Sequence, residues 1–189
     1  MKMFKPLRSF TLIELLIVLI ILFIMVFTFY TLENYGHSQL MRAQRRTKVQ
    51  NELALATEHM SKYVQQTTGN INNPGIVTTG ANLQVRVDFN QTPGNLVDDG
   101  WVNYALDTVD PHVLKVDCIG AACSFGTGHG ETAEELSNKI VNFVVTINNV
   151  NSVDIDLRGR YNPAATVDNY KNPEVEMNTQ VICNSQSTN

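Results

Sequence analysis

The stretch Arg8–Tyr30, "RSFTLIELLIVLIILFIMVFTFY", decides how the rest of the chain is read. From Phe10 to Tyr30 a single charge, Glu14, interrupts an apolar run. At about 1.5 Å per residue, roughly 20 helical residues cross a hydrocarbon core of about 30 Å, so the run is long enough to span one. An unpaired carboxylate deep in lipid costs about 2.5–3.5 kcal/mol, and Glu14 therefore needs a partner.

On the N-terminal side, "MKMFKPLRS" carries Lys2, Lys5 and Arg8 and no acid. Positive flanks stay on the cytoplasmic side, so the C-terminal end of the apolar run should point outward. A secretory signal peptide has a shorter apolar core, about 7–15 residues, followed by a small-residue cleavage site. Here the run ends in "FTFYTLEN", which offers none.

The combination of a basic leader, "SFTLIE" and a long apolar helix resembles the prepilin signature of type IV pilins and secretion pseudopilins. The resemblance covers residues 5–30. It implies cleavage between Ser9 and Phe10 by a prepilin peptidase, N-methylation of Phe10, and a mature chain with Glu14 in its first helical turn. In that family the equivalent of Glu14 pairs with the N-terminal amine of a neighbouring subunit as the filament assembles. A carboxylate near a helix N-terminus also meets the favourable end of the dipole, worth about 0.3–1 kcal/mol. Two positions depart from the family pattern: Ser9 replaces the usual Gly before the cut, and Thr31 stands where major pilins commonly carry a helix-loosening Pro. No proline occurs between Pro6 and Pro74, leaving Gly36 as the one helix-weakening residue before the stalk ends.

Beyond the apolar run the pattern becomes amphipathic. Val49, Leu53, Ala56, Met60 and the pair Tyr63/Val64 recur on one helical face, with Lys48, Asn51, Glu52, Glu58 and Lys62 on the rest. The helix should end near "QQTTGN", where Gly69 and Asn70 are suited to left-handed caps. The cluster Arg42, Arg45, Arg46 and Lys48 reads as a solvated helical face supported by i,i+4 pairs, with acidic neighbours or lipid phosphates as the alternative contacts.

After "INNPGIVTTG" the period becomes two. "LQVRVDF" sets Leu83, Val85, Val87 and Phe89 against Gln84, Arg86 and Asp88. "VNFVVTI" groups Val141, Phe143, Val145 and Ile147, and "VDIDLR" groups Val153, Ile155 and Leu157. "VEMNTQVI" aligns Val175, Met177, Thr179 and Val181, while "WVNYALD" and "HVLKVDC" add two more strands. Clean alternation predicts an antiparallel sheet with one wet face, its dry face covered by the Val49–Val64 stripe. Thr132 and Glu135 have capping-box spacing and predict a short helix leading into Leu136. The head order after residue 100 resembles minor pilins of the W type and pseudopilins of the J type.

The whole chain thus reads as α+β: leader 1–9, membrane and assembly helix 10–31, helical stalk 32–68, and β-rich head 69–189. Phe10 to about Thr67 would make a helix of roughly 85 Å.

Composition narrows the chemistry. The 189 residues are 43% hydrophobic and 17% charged, which fits a globular head rather than a disordered chain. A net charge of −4 gives no basis for nucleic acid binding. The histidines His37, His59, His112 and His129 have no metal-ligand spacing, and there is no G-x-S-x-G elbow. The Gly126, Gly128 and Gly130 loop lacks the Lys-Ser/Thr of a phosphate loop. Asp98, Asp99, Asp107, Asp110 and Asp117 lack EF-hand spacing and read as turn residues. No enzyme site, cofactor, metal or small-molecule substrate is expected.

Of three cysteines, Cys118 and Cys123 flank "IGAA", where Gly120 eases a bend, and that pairing is favoured for an oxidised head, leaving Cys183 free. Cys118–Cys183 remains open, since both end predicted strands.

The resemblance implies a minor type IV pilin, held in the inner membrane with its head outside the cytoplasm and then built into a pilus at or near its tip. Its partners would be other pilin subunits, prepilin peptidase and membrane lipid. The alternatives are a minor pseudopilin of a type II secretion system and a membrane-tethered binding domain that never polymerises.

Overall fold

The computed structural model describes residues 11–70, 72–79, 81–92, 94–120, 133–149, 152–169 and 171–183. One helix, α1 (Leu12–Gln65), is followed by eight strands: β1 (Ile76–Thr79), β2 (Asn82–Val87), β3 (Gly100–Leu106), β4 (Leu114–Ile119), β5 (Glu134–Ser137), β6 (Ile140–Asn149), β7 (Ser152–Arg160) and β8 (Glu174–Ile182). The chain is α+β, with a long N-terminal helix and antiparallel sheet. It divides into two compact units, Met1–Met41 and Arg42–Asn189.

The second unit holds the core. Val49, Leu53, Ala56, Met60, Tyr63 and Val64 are buried along one face of α1, as their spacing predicts. They form one cluster with Leu83, Val85, Val102, Tyr104, Leu114 and Val116 from β2–β4. Phe143, Val145, Val153, Ile155, Leu157, Val175 and Val181 from β6–β8 complete it. Full burial of a Val, Leu or Met side chain contributes about 1.5–3 kcal/mol, so this stripe is what holds the helix to the strands.

The strands form two sheets rather than one. β1-β2-β3-β4-β5 is a five-stranded antiparallel meander and β6-β7-β8 a three-stranded one. Leu83 faces Tyr104 and Val85 faces Val102 across β2–β3, while Val153 faces Val181 and Leu157 faces Met177 across β7–β8. These pairs are apolar opposite apolar, the pairing that stabilises a sheet, while Ile155 between the last two faces Thr179.

Several expectations need correction. The segment read as a capped helix is β5: Glu134 pairs with Val116, Glu135 with Lys115 and Ser137 with Leu114. With Leu136 as the only large apolar residue in "EELS", it has no apolar stripe to bury as a helix, and it can instead complete the open edge of β4. Thr132, the proposed cap, lies outside the described residues. In β6 a bulge between Ile140 and Asn142 places Ile140, not Val141, in the core, and Ile147 is exposed although it shares parity with Phe143 and Val145.

The predicted wet face of β2 is partly dry. Arg86 is buried, its Nη2 donating to the carbonyls of Asn73 at 2.9 Å and Pro74 at 2.7 Å, with its guanidinium 5.0 Å from the Trp101 ring centre. Thr68 and Gly75 flank this strand, Thr68 N–H donating to Arg86 C=O and Arg86 N–H to Gly75 C=O. The helix does end near "QQTTGN", but neither Gly69 nor Asn70 is left-handed. Asn70 Oδ1 instead accepts from the backbone of Asn72 and Asn73, an Asx turn.

Candidate membrane segment and its acidic residue

The first turn of α1 is built by Thr11 and Glu14. Glu14 N–H donates to Thr11 Oγ1, and both Thr11 N–H and Thr11 Oγ1–H donate to Glu14 Oε2, each at 3.3 Å. This is a reciprocal capping box, with Thr11 as N-cap and Glu14 as the third helical residue. The signal for it in the sequence is T-x-x-E ahead of an apolar run, the same spacing that predicts a helix at Thr132. Glu14 therefore has a partner within its own chain. These bonds are long and the carboxylate is exposed, so a cationic donor making a charge-assisted bond at about 2.7–2.9 Å would be the stronger partner.

From Leu12 through Phe29 the large apolar side chains are exposed, and the most apolar window of the helix has no residue buried within the chain. The helix is long and apolar enough to cross a membrane. Its polar side chains are internally satisfied: Thr28 Oγ1 donates to the Ile24 carbonyl at 2.7 Å, Thr31 Oγ1 to Thr28 at 2.9 Å and Asn34 Nδ2 to Tyr30 at 3.0 Å. An unsatisfied polar group in lipid costs several kcal/mol, so back-bonding is the arrangement such a helix needs. The helix runs unbroken through Thr31 and Gly36. Ser9 and Phe10 lie outside the described residues.

In the head, Cys118 is disulfide-bonded and Cys183 is a buried free thiol whose pKa is pushed up by burial. The Cys118–Cys183 alternative is thus not formed; β4 and β8 belong to different sheets. Cys123 lies outside the described residues. Gly120 has φ +134°, a conformation L side chains rarely adopt, which is how the chain turns after β4. Non-reducing peptide mapping is expected to link Cys118 to Cys123, with Cys183 alkylated only after unfolding. A linked peptide containing Cys183 would refute this. The closed loop is short, so its loss should cost less than the roughly 3 kcal/mol of a 15-residue loop.

The aspartates read as turn residues are engaged separately. Asp99 accepts from Thr68 at 2.8 Å, Asp98 from Thr92 at 2.9 Å, and Asp107 pairs with Lys115 at 2.9 Å. The Lys115 hydrogen bond holds the Asp107 carboxyl below its usual range. Among the described residues no group of three or more His, Cys, Asp or Glu could hold a metal ion. His59 Nδ1 lies 3.0 Å from the Tyr104 hydroxyl, and burial, with Lys62 nearby, lowers its pKa. His112 Nδ1 lies 2.9 Å from the Ile140 carbonyl. Both histidines serve local packing, and His129 lies outside the described residues.

Comparison with known protein families, curated proteins and solved structures finds no match.

Proposed function

We propose that this chain is a minor type IV pilin, a structural subunit that waits in the membrane and is drawn into a filament through its apolar helix. The observation that carries the reading is an exposed, spanning-length apolar helix whose first turn holds one acid, tied among the described residues by long bonds to Thr11. Such an acid favours exchange of its local cap for a cation on another chain, and a newly exposed amine on Phe10 of a neighbour is that cation. The basic leader and "FTLIE" support cleavage after Ser9. A minor pseudopilin of a type II secretion system shares every one of these features, and the genes beside this one separate the two.

The processing step is directly testable. Mass spectrometry of the membrane-extracted protein should find a chain beginning with N-methyl-Phe10. A mature chain beginning at Met1, or cut beyond Tyr30, would overturn the proposal. Absence of the processed protein from sheared filaments would favour the tethered, non-polymerising alternative.

A further inference from the structure

The Arg42–Asn189 unit gathers cations from separate elements around one ring. Arg45 and Lys48 come from α1, Lys139 from the turn between β5 and β6, and Tyr161 follows β7. The Arg45 guanidinium carbon lies 5.3 Å from the Tyr161 ring centre, Lys139 Nζ 5.8 Å and Lys48 Nζ 6.0 Å. Arg45 Nη1 also donates to the Lys171 carbonyl at 2.7 Å, which ties the guanidinium to the connection between β7 and β8. Its Nε is buried without a hydrogen-bond partner among the described residues.

Arg46 and Lys48 are exposed, as a solvated face requires, while Arg42 and Arg45 are half-buried and no i,i+4 ion pair forms along this face among the described residues. Among the described residues the ion pairs use Lys115, Arg158 and Arg160, and none uses Arg45, Lys48 or Lys139. The ring attracts each cation but neutralises none. Three like charges therefore converge without an ion pair at a residue that is 37% exposed, and the carboxylate brought to the same turn, Glu52, accepts instead from Ser137 Oγ at 3.2 Å. No acid occurs between Glu33 and Glu52, while Arg42 and Arg46 add to the same stretch.

We propose that the patch formed by Arg45, Lys48, Lys139 and Tyr161 docks on anionic phospholipid headgroups of the membrane in which the chain's own helix is embedded. The inference rests on the membrane reading of that helix. Charge complementarity requires an anionic occupant, and lipid is favoured because the cations follow an apolar run that ends in Tyr30, Leu32 and Tyr35, with Arg42 seven residues after Tyr35. Tyrosine and long cationic side chains are the residue types that settle at a headgroup layer, apolar body inward and polar tip outward. Ammonium and guanidinium groups are the donors that bind phosphate.

The test uses the full chain in nanodiscs of phosphatidylcholine alone or with added phosphatidylglycerol, read by hydrogen exchange in residues 161–169 and 171–172. Anionic lipid should slow exchange there, high salt should reverse the effect, and Lys48→Gln with Lys139→Gln should weaken it about fivefold per cation removed. Equal exchange in both lipids overturns the proposal. So does protection that inorganic phosphate reproduces in neutral discs, or that follows the number of chains per disc rather than lipid charge, which would assign the patch to free anion or to a second copy. A chain that fails to enter nanodiscs at all overturns the membrane reading as well, whereas one that enters without a charge response overturns only the docking.

Discussion

Replacing Glu14 by alanine is expected to leave the chain inserted and processed but to remove it from filaments. Truncating one partner of a desolvated charge pair costs about 2–5 kcal/mol, which corresponds to more than a tenfold loss of incorporation. Membrane insertion should if anything improve, because a charge has left the apolar segment. The capping box complicates the result, since alanine also removes the Thr11 contacts. Glu14→Gln separates the two effects: glutamine serves at the third position of a capping box but carries no charge. If assembly uses the charge, Glu14→Gln fails as Glu14→Ala does. If the cap is what matters, Glu14→Gln assembles and Thr11→Val fails. Wild-type amounts of Glu14→Ala in sheared, purified filaments would sink the assembly contact altogether.

A large loss of stability is expected from a side chain at Gly159, where β7 packs against Leu53 and Val49 of α1. A Cβ there would lie 2.9 Å from the Lys139 carbonyl oxygen and 3.1 Å from both Leu53 Cδ2 and Val49 Cγ1. Gly159→Val adds further methyl groups against backbone and packed side chains, and overpacking of this kind costs about 1–3 kcal/mol or more. Valine is otherwise favourable in a strand, so the sign comes from the helix above it. A domain of this size loses roughly 2–4 °C in Tm per kcal/mol, giving a fall of several degrees in the detergent-solubilised chain. Leu53→Ala alone should cost about 2–5 kcal/mol, and combined with Gly159→Val the two losses should be less than additive because alanine vacates the clashing space. An unchanged Tm for Gly159→Val would show that helix and strand are not so closely packed.

The positions where the strand readings succeeded and failed share one cause. Along β7, Val153, Ile155 and Leu157 are buried in strict alternation, because a regular strand turns every second side chain to the same face. Along β6 the same pattern misassigned Val141 and Ile147, because a bulge changes parity and the core ends before the strand does. Arg86 was assigned to water by alternation and instead donates to the carbonyls of Asn73 and Pro74, a contact made by another part of the chain. For Glu14, the apolar setting and the T-x-x-E spacing were both present in the sequence, and only the second led to the partner seen in the chain.

What the sequence by itself determined is therefore local and periodic. It includes the spanning length of the apolar run, the Val49–Val64 stripe, the alternation of the strands and the position of the acid, each set by the fixed geometry of helix and strand. Tertiary structure alone decided the division into two sheets, the use of Glu134–Ser137 as an edge strand and the burial of Arg86. It also brought Lys139 and Tyr161 to Arg45 and Lys48, residues more than 90 positions away along the chain. These features depend on which surfaces meet across long separations, and no period in a single segment carries that information.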